Sequence, residues 1–582
     1  MPIAADLTDL LAGFRHIRSP SGVTRVQTRL VVAAEGLFTL VAFDKRSGDW
    51  REFPRPMLDR LLAATERPGG PKDADWQALV DAAENALATA PAWKFTTGDW
   101  LLGAGAAWWL QGHAARIMAL KRDGGLRYAS FVYDLLPLLV PEHCEEILVR
   151  NFAQHFSTMC LLADHAICIS EAVRGDFRAW QPRLLPGLEI PASVLRLDAR
   201  FGTQGDAWPP PDEPFVLAVG TVESRKNQLG LLRAWLHLLR THGEAAVPRL
   251  ILVGVHGFLA DQVLQLQRSA PELRRKVELR AGVPDGALRG LYAGCLFTVF
   301  NSHAEGWGLP VTESLAQGKV PLVADVPVLR ESGGAHAVYV EPENVPALAQ
   351  AAWALISDPA ALAAREAALR DGVRLRNWRD LAEECAGFLT DAPALPRERM
   401  GLLEDVPIPG GLPPLPELPE LAPVQATSGA LLRLGEGWSH QEDWGIWAVA
   451  PARPMLRLPL DPAWRCPAVS VLLVVIPPPG GHAGGVRPAG GDWRPWSVTN
   501  PGLTELRVDT PWPVDDVLVL EFDVGEGIQA PPDDRRLGFG LLSLRVVRQL
   551  PPEAPAVDPA QNPPPAPPRR GFLARLRRPG GR

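Results

Sequence analysis

Two short stretches carry residue types that can do chemistry together. In Gly220-Thr-Val-Glu-Ser-Arg225-Lys226-Asn227 two adjacent cations follow an apolar run, Phe215-Val-Leu-Ala-Val, and precede a helix-like segment over 227–242. A strand end that feeds a helix start sets free backbone N–H groups and the positive end of the helix dipole beside those cations, which suits a diphosphate. In Asn301-Ser-His303-Ala-Glu305-Gly306-Trp307-Gly308-Leu309-Pro310-Val-Thr-Glu313 a second helix start follows a second apolar run. Pro310 fits a first helical turn, and Gly306 and Gly308 leave backbone N–H groups free to approach an anion. Glu305 lies on the loop and Glu313 about one turn into the helix, so the two carboxylates can face different parts of one ligand. Singly, an Arg-Lys pair at a helix start reads as solvated and either glutamate as a surface residue. Two helix starts at neighbouring strand ends, converging on one crevice, are far more specific.

The elements that must position these residues alternate strand and helix. Strand-like runs at 215–220, 249–254, 276–280, 297–300 and 320–324 are separated by helix-like segments at 227–242, from about 259, at 284–293 and at 309–317. Five strands each separated by a helix make a doubly wound open sheet, whose ligands lie at the carboxyl ends of the strands. The same rhythm is looser before residue 205, with strand-like runs at Arg29-Leu-Val-Val-Ala-Ala, Tyr128-Ala-Ser-Phe-Val-Tyr-Asp and Ala166-Ile-Cys-Ile-Ser. The expected fold class is therefore α/β, with two doubly wound Rossmann-like domains facing a cleft, followed by a C-terminal all-β sandwich and a disordered tail. The boundaries read as 1–208 for the first α/β domain and 209–400 for the second, which ends in a returning helix. A proline-rich linker follows at 401–427, then the β-sandwich at 428–552 and a basic tail at 553–582 with Arg569, Arg570, Arg575, Arg577, Arg578 and Arg582.

Composition narrows the function classes. The 582 residues include 66 acidic and 59 basic ones, a formal net charge of -7, which argues against a nucleic-acid partner held by phosphate contacts. Mean hydropathy is near zero, as in a globular protein. Six cysteines without a Cys-x-x-Cys pair read as free thiols, and no metal site is expected. The beginning Met1-Pro-Ile-Ala-Ala-Asp has no basic region followed by an apolar run, so a cytoplasmic location is expected. Asp73-Ala-Asp75 has a manganese-like Asp-x-Asp form but opens a helical pattern, where capping is the better reading. Gly103-Ala-Gly105 lacks the third glycine of a dinucleotide fingerprint. The cluster around Trp438, Trp444 and Trp447 is open to two readings, sugar stacking or sandwich core.

With these motifs in place the chain resembles glycosyltransferase family 4, the group 1 glycosyltransferases of the GT-B fold. The matching stretches are Val219-Gly-Thr-Val-Glu-Ser-Arg-Lys-Asn, Leu291-Tyr, Glu305-Gly-Trp-Gly-Leu-Pro with Glu313-Ser-Leu-Ala-Gln-Gly, and Asp325-Val-Pro-Val-Leu-Arg-Glu331 with Gly334. The resemblance covers residues 215–385 most clearly. It implies that Glu305 contacts the donor sugar, Glu313 the ribose, and Arg225 with Lys226 the diphosphate, with Asn227, His303, Gly306, Gly308 and Leu309 lining the donor site. Gly22, in Ser19-Pro-Ser-Gly-Val-Thr-Arg25, stands where the family has a glycine-rich loop near the phosphates. Tyr133-Asp134-Leu-Leu-Pro137 matches a His-Asp-Leu-x-Pro signature with tyrosine replacing the histidine, which leaves Asp134 as the candidate that organises the cleft. Ser170-Glu171 resembles a Ser-Glu pair on the acceptor side.

The resemblance implies a retaining transferase with no cofactor and no obligatory metal, taking a nucleotide-diphosphate sugar as substrate. Its acceptor is expected to be a glycan or a lipid-linked glycan of a bacterial surface polysaccharide, with mannose from a guanosine donor as the family-based guess. The arginine-rich tail is read either as a peripheral contact with anionic lipid at the inner membrane face or as an unstructured end. A reading of different class is a catalytically silent glycan-binding or scaffolding protein on the same fold.

Overall fold

Short, buried apolar runs alternating with longer amphipathic segments fold here into two parallel sheets. The computed structural model describes residues 2–392 and 432–549 apart from short gaps, chiefly 108–109, 111–112, 185–189, 201–210, 440–441, 443–444, 461–464 and 530–533, together with 405–407. The rest of the proline-rich run at 401–427, the basic tail at 553–582, and Trp108 and Trp444 lie outside the described residues.

The first sheet comprises β1 (Ile3–Asp6), β2 (Phe38–Asp44), β3 (Asp49–Glu52), β4 (Trp100–Gly103), β5 (Arg127–Val132), β6 (His165–Cys168) and β7 (Ala192–Val194), in the order β3-β2-β1-β4-β5-β6-β7. Only the edge pair β2–β3 is antiparallel. The second sheet comprises β8 (Phe215–Val219), β9 (Arg249–Val253), β10 (Val277–Arg280), β11 (Thr298–Phe300), β12 (Pro321–Ala324) and β13 (Val338–Val340), in the order β10-β9-β8-β11-β12-β13 and parallel throughout. Strand order reverses between β1 and β4 and between β8 and β11. At such a switch point the loops leaving two neighbouring strands diverge to opposite faces and open a crevice at their carboxyl ends.

Two elements differ from the sequence reading. Arg29-Leu-Val-Val-Ala-Ala, expected as a strand, falls in the helix Val23–Ala33 and its C-cap. Gln27, Leu30, Val31 and Ala34 are buried at positions i, i+3, i+4 and i+7, the spacing of one helical face and not of a strand. The strands that carry this part of the sheet are Ile3–Asp6 and Phe38–Asp44 instead. The second sheet also has six strands where five were expected, because Val338–Val340 is too short to show an alternation.

The helix Trp378–Asp391 follows the second sheet in sequence but packs on the first. Its Leu381, Ala382, Cys385 and Leu389 are buried in the core beneath β1–β7, and a capping box on Asn377 and Asp380 starts it. Arg379 donates to the carbonyls of Ala33 and Glu35 at 3.1 and 2.7 Å. Each leucine buried this way contributes about 1.5–3 kcal/mol, so the helix is a firm tie between the two α/β halves.

Residues 433–549 supply two antiparallel sheets, with Asp405–Pro407 pairing on an edge through Arg536–Gln549. Val469, Val471, Leu473 and Val475 of the strand Ala468–Ile476 alternate inward and meet Leu518, Leu520 and Phe522 of Val517–Asp523 in one core. Trp438 is 4% exposed, belongs to this core and donates its indole N–H to the carbonyl of Met455 at 3.0 Å, so it is a packing residue of the sandwich; Trp447 is 9% exposed but lies on the opposite face of its strand from the core residues Ile446 and Ala448. All six cysteines are free thiols. Among the described residues no single helix is long and apolar enough to cross a membrane.

Candidate functional site

The loop leaving β8 turns through a short 3-10 segment, Ser224–Lys226, before the helix Gln228–His242 begins. Asn227 makes the turn possible. It takes the left-handed conformation (φ 52°) that asparagine tolerates, and its side-chain oxygen accepts from the Gly230 N–H at 3.2 Å. Its amide also donates to the Pro342 carbonyl at 2.8 Å, so the Asn227 side chain serves the loop's own structure. The turn throws Arg225 and Lys226 to the carboxyl end of β8, beside the switch point.

The loop leaving β11 comes to the same place from the neighbouring strand. Gly308 has φ 86°, and Leu309 then opens the helix Leu309–Ala316 with Pro310 in its first turn. Gly306 is required by contact: a Cβ there would lie 2.0 Å from the Tyr133 carbonyl oxygen of the other half. Trp307 is 3% exposed and belongs to the first half's core, with Leu309 packed against that core. The loop leaving β11 therefore plugs into the facing domain.

Glu305 sits between the two cations. Its Oε1 accepts from Lys226 Nζ at 2.5 Å and pairs with Arg225 Nη1 at 3.0 Å, while Arg225 also donates to the Ala304 carbonyl at 2.8 Å and to Glu223 at 2.6 Å. Lys226 Nζ lies 4.8 Å from the centroid of the Phe300 ring, a cation–π contact. Burial opposes ionisation of Glu305, but Lys226 and Arg225 overcome it and hold the carboxyl below the usual range. Burial pulls the Lys226 ammonium down, with Glu305 restoring part of the loss. Arg225 is pushed up despite burial, by Glu305 and Glu223. The result is two charged groups kept ready by one carboxylate in a water-poor site, where each charge acts more strongly than in bulk water.

Glu313 has different company. Its Oε1 accepts from Arg25 Nη1 at 3.1 Å and its Oε2 from the Tyr292 hydroxyl at 2.7 Å. Arg25 Nη2 also reaches Asp285 at 2.7 Å, and Arg29 reaches the other Asp285 oxygen at 3.4 Å. Burial pushes the Glu313 carboxyl above its usual range, with Arg25 and then Tyr292 offsetting part of the rise. Arg25 and Arg29 belong to the first half, so this cluster spans the cleft. The sequence reading missed Arg25 and the Tyr292 hydroxyl as partners of Glu313, and Asp285 as the second partner of Arg25; only Leu291-Tyr within the quoted motif hinted at the Tyr292 bond.

The remaining candidates line the same cleft. Gly22 holds φ 53° at the N-cap position of the helix that carries Arg25. Asp134 bonds the Leu136 N–H at 3.1 Å and lies close enough to Arg225 and Glu305 to feel both charges; burial raises its carboxyl above the usual range, Arg225 opposing. The Tyr133 hydroxyl donates to the Ala104 carbonyl at 2.6 Å, just beyond the carboxyl end of β4. His303 stacks on His143 of the first half with centroids 5.0 Å apart and planes at 9°, and burial lowers its pKa. Glu331 accepts from the backbone N–H groups of Glu171 and Ala172 at 2.9 and 2.8 Å, capping a first-half helix with a second-half carboxylate. Asp73 occupies the N-cap position of Ala74–Thr89, but its side chain bonds Gly70 and Arg18 rather than that helix.

Two doubly wound sheets that meet across a crevice of cations and carboxylates define the two-domain GT-B architecture. Residues 206–371, which hold β8–β13 and both loops, match the family model described as glycosyl transferases group 1. The chain is 31% identical over 246 residues to the serotype-specific mannosyltransferase WbdA of Escherichia coli, covering 40% of this chain and 30% of that protein. It is 35% identical over 143 residues to the O-antigen chain mannosyltransferase B of Escherichia coli, covering 24% of this chain and 35% of that protein. The chain thus spans about a third of the length of these curated relatives. A solved sucrose-phosphate synthase from Thermosynechococcus elongatus overlaps 67% of this chain and 98% of its own at 16% identity, with a TM-score of 0.47.

Proposed function

We propose that this chain is a retaining hexosyltransferase of the family 4 kind, moving a sugar from a nucleotide-diphosphate donor to a glycan or lipid-linked acceptor of a bacterial surface polysaccharide. The observation that carries the reading is the convergence of Arg225 and Lys226 on Glu305 at the β8–β11 switch point. A diphosphate placed there accepts from both cations and from the N–H groups of the two loops, while Glu305 turns to hydroxyls of the donor sugar. As the anomeric C–O bond breaks, its electron pair passes to the diphosphate; the acceptor hydroxyl oxygen bonds the anomeric carbon and its proton passes to the departing diphosphate oxygen. Arg225 and Lys226 meet that charge as it develops, the task a divalent ion performs at other sites. Asp134 supports the acceptor side of the cleft, its carboxyl kept neutral more readily by burial.

Mannose is the proposed sugar, on the strength of the mannosyltransferases among the relatives. The proposed setting is the cytoplasm, with the basic tail meeting the inner membrane face. The alternative reading, a catalytically silent glycan-binding protein, draws on Tyr133, whose hydroxyl is committed to Ala104. Incubating the chain with GDP-mannose and other nucleotide sugars, with and without EDTA, separates the two. Release of nucleoside diphosphate at equal rate in EDTA is the expected result; binding of glycan without release from any donor would favour the alternative.

A further inference from the structure

Arg25 reaches from the first half to carboxylates of the second. It sits on the first turn of the helix Val23–Ala33, and its guanidinium forks between two second-half carboxylates, Glu313 at 3.1 Å and Asp285 at 2.7 Å. Its side chain is 17% exposed, Glu313's 7% and Asp285's 18%. Asp285 is held in turn by Arg29 at 3.4 Å, so two arginines and two carboxylates balance in charge. A cavity of about 280 Å³ opens beside the network, lined by Pro20, Arg25, Thr28, Arg29, Thr65 and Asp285 among others. A planar guanidinium tied at two nitrogens fixes the orientation of what it holds, which a lysine cannot do.

The Glu313 carboxylate takes one bond on each oxygen, Arg25 on Oε1 and Tyr292 on Oε2. A carboxylate oxygen has room for a second acceptor bond, so the two remaining positions match the two hydroxyls of a vicinal diol. We infer that Arg25 is a positioning residue for donor recognition, supplied by the first half, which orients Glu313 so that it reads the ribose diol of the nucleotide only when the halves are together. This rests on the proposed donor site. It makes ribose recognition a property of the closed cleft, whereas the diphosphate contacts at Arg225 and Lys226 belong to the second half alone. Burial raises the Glu313 carboxyl above its usual range, and Arg25 opposes that rise, favouring the ionised form that accepts both bonds.

A purely structural ion pair and a positioning residue separate in a cycle of protein and ligand changes. The full chain, as wild type, Arg25→Gln and Arg25→Lys, is titrated calorimetrically with GDP and UDP and with their 2′,3′-dideoxy forms. Wild type is expected to bind the ribose form of one of them about tenfold or more tighter than its dideoxy form, as a bond to a charged group implies. Arg25→Gln is expected to cut that ratio to about threefold or less, leaving dideoxy binding near wild type, because the coupling lies between Arg25 and the diol. Arg25→Lys and Asp285→Asn should give intermediate ratios, and they decide the matter if Arg25→Gln does not fold. Equal loss for both ligand forms, or an unchanged ratio in the variants, overturns the role of Arg25 while the donor site stands. Failure of wild type to bind either nucleotide overturns the donor site and the inference with it.

Discussion

Glu305 and Glu313 lie eight positions apart in the sequence and live in opposite settings. Glu305 is held by Arg225 and Lys226, both from its own half, and is kept more acidic than usual. Glu313 is held by Arg25 from the facing half and is made less acidic by burial. The ion pairs of one cluster lie within a single domain, with Asp134 of the other half near them; those of the other cross between two domains. The difference teaches that a ligand touching both glutamates would sense local chemistry at one end and domain closure at the other.

The largest effect should come from the local cluster. Arg225→Ala is expected to lower kcat by about 100- to 1,000-fold, the usual cost of removing one preorganised group that meets developing charge. Steady-state hydrolysis of the donor measures it; a loss confined to KM would move Arg225 from the transition state to ground-state binding.

The cross-cleft cluster should show itself through pH. Glu313, facing Arg25, Tyr292 and, through Arg25, Asp285 and Arg29, titrates above an ordinary glutamate, whereas Glu305 titrates below one. As pH falls through the raised value, Glu313 is protonated first and nucleoside diphosphate affinity should drop. Glu313→Gln should weaken binding about tenfold at neutral pH and remove this acidic limb. A limb that survives in Glu313→Gln would assign it to another group.

The smallest effect belongs to a contact that joins the halves without touching the ligand. Glu331→Gln removes the charge from the carboxylate that caps the Glu171–Leu184 helix and should cost about 1 kcal/mol of stability. Thermal unfolding reads that cost, and ribose discrimination should stay at the wild-type ratio. Loss of discrimination would make closure in general, rather than Arg25, the determinant.

The two clusters also differ in how legible they are. The Arg225–Lys226 pair and Glu305 each follow an apolar run and precede a helix, so the periodicity that announces the strands also announces that their ends converge. Arg25 and Glu313 are separated by 288 positions, and nothing in local pattern can pair them. Helical residues 29–34 looked like a strand because their apolar residues are contiguous, while the buried face runs Gln27, Leu30, Val31, Ala34 and begins on a polar residue. Trp438 and Trp447 carried two readings because a ring that packs and a ring that stacks on sugar are the same residue type; for Trp438, its place in the sandwich core decides for packing. Tyr133 was seen as a departure, but that its hydroxyl would turn to Ala104 depends on the β4 loop, far off in sequence.

The central claim is that Arg225 and Lys226 hold the diphosphate of a nucleotide sugar, and one comparison tests it most directly. Wild type and Lys226→Ala are screened against a panel of nucleotide sugars for thermal stabilisation and donor hydrolysis. The account predicts that one donor raises the wild-type Tm and is hydrolysed, and that Lys226→Ala, folded as judged by its own Tm, loses both responses. Stabilisation by no donor, or equal binding by Lys226→Ala, would contradict it.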